Sequence, residues 1–201
     1  MLVLGSANRK KGKELINLLR PLRIEVRTLA DFSEKYRVEE EADSFAENAR
    51  RKAIGYAQRL AQWVLAEDSG LEVEALGGRP GVLSARYAGP DADDEANNRL
   101  LLTEMAGIPL EKRAARYVCH VALADPQGCI QAESEACCCG RIAIAPRGRT
   151  GFGYDPLFEI PEYHRTFAEL GPRVKAVLSH RSRAVRLMIP DLIQLVEAGL
   201  I

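Results

Sequence analysis

An excess of charge of either sign is the first thing this chain lacks. Lys plus Arg and Asp plus Glu each number 28, giving a formal net charge of zero, which excludes a protein that holds nucleic acid by a broad basic surface. Small polyanions stay open as ligands. No apolar run approaches the length needed to cross a bilayer, and the N-terminus lacks the charged-then-apolar layout of a secretory signal. The expectation is a cytoplasmic protein with no membrane and no nucleic-acid partner. Cysteine is present without pattern. Cys119, Cys129 and the consecutive Cys137, Cys138 and Cys139 make an odd count with neither CxxC spacing nor a neighbouring histidine, which excludes the usual disulfide framework and zinc site. On a strand, Cys138 would face one side and Cys137 and Cys139 the other. Three fingerprints are missing as well. GxxxxGK[ST] fails at Ala7 and Glu14, and neither GxGxxG nor GxSxG occurs; P-loop NTPases, the usual dinucleotide fold and the α/β-hydrolase elbow are set aside.

What is there suffices for a core: 201 residues, 47% of them apolar, with no repeat and no linker, so residues 1–201 read as a single domain. Short apolar runs alternate with helical patterns in the first half. Strands are expected over residues 2–4, 24–28 and 64–66, with helices over 12–19 and 45–62, the signature of an α/β core with parallel pairing. Residues 116–124 and 129–139 flank Asp125-Pro126-Gln127-Gly128 and read as an antiparallel hairpin, which makes the sheet mixed. Ser44 and Glu47 form a predicted capping box at the second helix. A helix near 94–105 ends before Gly107, and a last helix from His180 to Gly199, capped by Ser179, is expected to bend at Pro190.

Chemistry is suggested where charge sits in the wrong place. Arg9, Lys10, Lys11 and Lys13 crowd a helix start, where exposed N–H groups and the macrodipole favour anions. With Ser6, Ala7 and Asn8 they form either an anion cradle or a merely solvated basic turn. His180 and Arg181 repeat the mismatch at the last helix, with Lys175 upstream, and one shared anionic ligand would account for both. Glu67 and Asp68, with Ser69, follow a buried strand. At its C-terminal end carboxylates suit magnesium, with acid also available from residues 39–41, although a polar turn capped by Asp68 is equally consistent. Phe152, Gly153, Tyr154 and Asp155 set rings among glycines, either to stack a flat base or to make a turn with buried aromatics. His120 and His164 read as structural.

Taken in order, residues 6–14, 44–53, 67–71, 152–156 and 179–181, with 77–81, 84–87 and 166–169 between them, resemble the inosine triphosphate pyrophosphatase family. The resemblance implies an elongated, two-lobed α/β fold with a long mixed central sheet and flanking helices around a nucleotide cleft, shared in general form with Maf-type enzymes, and a homodimer. It implies hydrolysis of ITP, dITP and XTP to the monophosphate and pyrophosphate. By it, Ser6, Ala7, Asn8, Arg9, Lys10 and Lys11 would hold the triphosphate, Lys52 would face the phosphates, and Ser69 would touch substrate. Phe152, Gly153, Tyr154, Asp155, Lys175, His180 and Arg181 would surround base and sugar. Asp68 would be proton acceptor and Mg2+ ligand, with Glu39, three residues before Ala42 and beside Glu40 and Glu41, as second ligand. Glu67 stands where an aspartate is common in the family and is given no role of its own. The rival expectations are a Maf-type pyrophosphatase of other base preference and a nucleotide sensor without turnover.

Overall fold

The computed structural model describes residues 1–32, 38–39 and 42–201. Among these residues seven strands form one sheet in the order β2-β1-β3-β4-β5-β6-β7. They are β1 (Leu2–Leu4), β2 (Val26–Thr28), β3 (Trp63–Val73), β4 (Ala114–Ala124), β5 (Ile130–Ile142), β6 (Phe158–Ile160) and β7 (Arg165–Thr166). β1 runs parallel to β2 and β3, whereas β6 is antiparallel to β5 and β7, so the sheet is mixed as its sequence implies. The helices are α1 (Arg9–Leu19), α2 (Phe45–Leu60), α3 (Asp94–Glu104), α4 (Phe167–Leu178) and α5 (His180–Glu197). The chain divides into two compact units. The first comprises Met1–Asp68, Cys119–Ala136 and Arg181–Ile201; the second comprises Ser69–Val118 and Cys137–His180.

In the first unit, strand alternation sorts the core into two layers. Leu2, Leu4 and Leu65 face Leu15 and Leu19 of α1 and Ala184, Val185 and Met188 of α5. Val3, Val64 and Ala66 face the alanine stripe Ala49, Ala53 and Ala57 of α2. Continuing that alternation, Glu67 turns toward α1 and α5 and Asp68 toward α2. In the second unit, Leu71 and Val73 of β3 join Leu101, Tyr117, Phe158 and Phe167 in one core. There Tyr117 stacks on the His180 ring at 4.6 Å.

Several expectations shift. α1 begins at Arg9, three residues earlier than read, because Asn8 caps it: its Oδ1 accepts from the Lys10 and Lys11 N–H groups at 3.0 and 3.2 Å. β3 does not stop at Ala66 but runs to Val73, so Glu67 and Asp68 lie inside a strand, not at its end. Acids usually mark strand ends because buried charge is costly; here each acid meets cations. Ser44 accepts from the Glu47 N–H at 3.2 Å, but the Glu47 carboxylate takes the Arg51 Nε at 3.0 Å, leaving only half the predicted box. α4 lies where the sequence analysis places no helix, and Gly171, directly before Pro172, is non-helical within it at φ +79°. Ser179 closes α4, its N–H bonding Lys175 O at 2.9 Å, directly before α5. The cysteines fall as the alternation predicts, with Cys138 buried and Cys139 exposed. His120 is structural, its ring nitrogens facing Glu133 at 3.0 Å and Glu135 at 3.4 Å.

Candidate active site

Gly5 leaves β1 so close to β3 that a Cβ there would meet Ala66 Cβ and Val64 Cγ1 at 3.0 Å each. Only glycine lets the following turn, Ser6 to Asn8, start against the strand. Ser6 Oγ accepts from the Asn8 N–H at 3.3 Å, and Asn8 opens α1. No acidic residue occupies the first turn of α1 or of α5. Arg9 and Lys10 are exposed, as is Ala7.

Lys11 and Arg181, one from each mismatched helix start, converge on Glu67. Lys11 Nζ stands 3.2 Å and Arg181 Nη2 3.4 Å from Glu67 Oε1, and Arg181 Nη1 reaches Glu14 Oε2 at 2.5 Å. Part of the missing negative charge is thus supplied by the chain itself. Arg181 is 2% exposed. Burial alone would lower its pKa, but Glu67, Cys119 and Glu14 outweigh burial and hold it above the ordinary arginine value. Burial, reinforced by Glu67, pushes the Cys119 thiol well up, against the pull of Arg181 and Lys11, so this cysteine is an inert neutral thiol. That Glu67, Glu14 and Cys119 meet the two cations was not readable from the sequence, where Glu67 stands only as a carboxylate beside Asp68. The only signal was that second acid, one strand position out of phase.

On the opposite face of β3, α2 grips Asp68 with two residues one turn apart. Lys52 Nζ lies 3.1 Å from Oδ1 and Asn48 Nδ2 3.2 Å from Oδ2. Asp68, Lys52 and Asn48 are all buried. Glu39 is exposed, and Glu40 and Glu41 lie outside the described residues. Among the described residues no group of three or more His, Cys, Asp or Glu is placed to hold a metal; Mg2+ asks for only one or two carboxylates beside water and phosphate oxygens. A cavity of about 630 Å3 is lined by the Ser6–Asn8 turn together with Arg9, Lys13 and Arg59 and the apolar Ile16 and Leu29.

The second unit assembles the other predicted segment. Lys175 Nζ bonds Asp155 Oδ2 at 2.6 Å and lies 4.1 Å above the Phe152 ring centre, a geometry worth more when desolvated. The same carboxylate oxygen accepts from the Phe152 N–H at 2.9 Å. Gly153 is held on both sides, its N–H by Asp94 Oδ2 and its carbonyl by Asn98 Nδ2, each at 2.9 Å. Tyr154 is buried and donates to Ser84 O at 2.8 Å, and burial raises its pKa. Ser69 is half-buried on β3, and His180 is buried against Tyr117. Gly151 has φ +85°, and a Cβ there would meet Asp155 Oδ2 at 2.1 Å. Gly151→Ala is therefore expected to cost on the order of 2 kcal/mol and roughly 5 °C in Tm by thermal melt; an unchanged Tm would show that the loop gives way freely.

Residues 2–191 match the Ham1 family. A dITP/XTP pyrophosphatase of Rhodopirellula baltica is 51% identical over 98% of this chain and 95% of its own length. The Ham1 protein of Staphylococcus aureus superposes at a TM-score of 0.85 with 35% identity, covering 96% of this chain and 98% of that one. A nucleoside-triphosphatase / dITP/XTP pyrophosphatase of Mycobacterium abscessus gives 0.76 at 41% identity, with 95% and 98% covered. Sequence and fold agree along nearly the whole length, and the chain belongs to the Ham1 family.

Proposed function

We propose that the chain is a pyrophosphohydrolase of noncanonical purine nucleoside triphosphates, cleaving ITP, dITP and XTP to the monophosphate and pyrophosphate. The observation that carries this is the buried Asp68, held inside β3 by one bond to each oxygen, from Lys52 and from Asn48, in the unit that also contains the cation-loaded start of α1. The dITP/XTP pyrophosphatases among its relatives support the same substrate class. Membership in the Ham1 family favours it over the Maf-type expectation.

Under this reading Ser6, Asn8 and the first turn of α1 hold the phosphates through backbone N–H groups, the Ser6 hydroxyl and Lys11. Lys52 neutralises charge on the departing pyrophosphate. Asp68 accepts a proton from the water that attacks the α-phosphorus. Phe152 stacks the base, with Asp155 and Lys175 fixing the loop that carries it. The hard oxygen donors of Asp68 and Glu39 suit Mg2+, which when bound draws charge from the phosphates. The enzyme is proposed to work as a cytoplasmic homodimer.

Selectivity against ATP follows from hydrogen-bond polarity, since donors aimed at a 6-keto oxygen are left unpaired against the 6-amino group of adenine, whereas guanine, which shares the keto oxygen, has to be rejected at its 2-amino group. Pyrophosphate release over a triphosphate panel tests the proposal. ITP, dITP and XTP are expected to be cleaved with kcat/KM on the order of 100-fold above ATP and GTP, and chelating the metal should abolish turnover. Equal rates across the panel would end the house-cleaning role. ITP binding without pyrophosphate release would make the chain a sensor.

A further inference from the structure

Glu39 and Asp68 serve one metal only if the segment that carries Glu39 is held against the strand that carries Asp68. Among the described residues, helix α2 links Ala42 to that strand through the Asn48 carboxamide. Asn48, 2% exposed, accepts from the Ala42 N–H at 3.0 Å and donates to Ala42 O at 3.2 Å and to Asp68 Oδ2 at 3.2 Å. The network fixes the amide's orientation, because the flipped form would set its oxygen against a carbonyl and a carboxylate. No other side chain of this size both accepts from an N–H and donates twice: aspartate has no donor and leucine has neither function.

The other side of Glu39 is tied to the same helix. The Val38 N–H donates to Tyr56 OH at 3.3 Å. Val38 also packs into the gap left by Gly55, where a Cβ would meet Val38 Cγ2 at 2.8 Å. In the sequence Glu39 thus falls between two residues, Val38 and Ala42, that are anchored on α2, and the amide that holds Ala42 also bonds Asp68. A glycine in mid-helix costs up to about 1 kcal/mol relative to alanine, and close approach of Val38 is what that cost secures here.

We propose that Asn48 is a positioning residue for the Mg2+ site: it sets the Asp68 carboxylate and the Glu39 segment in register, with Gly55 and Tyr56 holding the far side. This rests on the magnesium reading above. The test uses Mn2+ as probe, its binding to the purified full-length chain followed by electron paramagnetic resonance of the free ion, alongside metal titration of pyrophosphate release from ITP. Asn48→Leu is expected to weaken Mn2+ roughly tenfold and raise the half-activating metal concentration equally, as loss of a ligand's outer partner does, with the KM for ITP at saturating metal within about twofold.

Gly55→Ala displaces Val38 while favouring the helix, so it is expected to fold at least as well as wild type and still weaken Mn2+ by about threefold. It decides the matter should Asn48→Leu fail to fold. A merely structural role predicts a lower Tm with Mn2+ affinity unchanged. Wild-type affinity in folded variants overturns the positioning role while leaving the magnesium reading intact. Wild-type protein that binds no Mn2+ and cleaves ITP without metal overturns both.

Discussion

Asp68→Asn is expected to lower turnover of ITP by about a thousandfold or more while changing nucleotide affinity by only a few-fold. The substitution keeps shape and removes the charge on which two proposed roles depend, proton acceptance and metal ligation. Its amide also meets donors on both sides: whichever way it faces, its NH2 group confronts either Lys52 Nζ or Asn48 Nδ2. Lys52, 5% exposed, loses its carboxylate, so some stability goes as well. Removing one member of a buried pair takes that counter-charge from the other. Melting curves with and without nucleotide separate the two effects, because a folded, ITP-binding, inactive variant isolates the chemistry. Near-normal turnover would remove Asp68 from the mechanism.

The architecture was legible where period and composition agree. The Leu2 to Leu4 strand, the Ser44-capped helix and the hairpin about residues 125–128 were all visible, because each is specified locally by alternation, a cap or a turn tetrapeptide. β3 was cut short for a physical reason. Two adjacent acids in a buried strand violate local propensity, and only partners far away in sequence, Lys11, Lys52 and Arg181, make them affordable. α4 was missed because Gly171-Pro172 breaks the helical pattern barely a turn after the Thr166 and Glu169 capping box starts it.

The candidate site shows the same division. The anomaly at the starts of α1 and α5 was readable as charge in the wrong place, and it correctly linked two helices far apart in the chain. Its compensation was not readable. A shared anion was inferred as ligand, yet one shared anion is Glu67, a residue given no role, because no local rule says which face of β3 an acid will take until the strand is known to continue. Asn48 escaped for a similar reason: an asparagine inside an amphipathic helix looks like a tolerated polar residue until its three bonds are seen.

Glu67→Gln should be strongly destabilising, by on the order of 3–5 kcal/mol, with Tm lowered by roughly 10 °C. Arg181 is 2% exposed and Glu67 1%. The neutral amide takes one counter-charge from the guanidinium, which still faces Glu14, and removes the charge that Lys11 meets at 3.2 Å from the same oxygen. Glu67→Asp keeps the charge but withdraws it by one methylene from both cations, so a smaller loss is expected. The decisive comparison is a double-mutant cycle. If the penalty comes from a buried charge left without its counter-charge, replacing Arg181 as well, as in Glu67→Gln with Arg181→Met, recovers stability relative to Glu67→Gln alone. If the penalty comes from packing, the two losses add instead. Recovery of stability in the double variant together with loss of catalysis would show that the Lys11–Glu67–Arg181 cluster is kept for what its cations do at the nucleotide site and not for the stability of the fold.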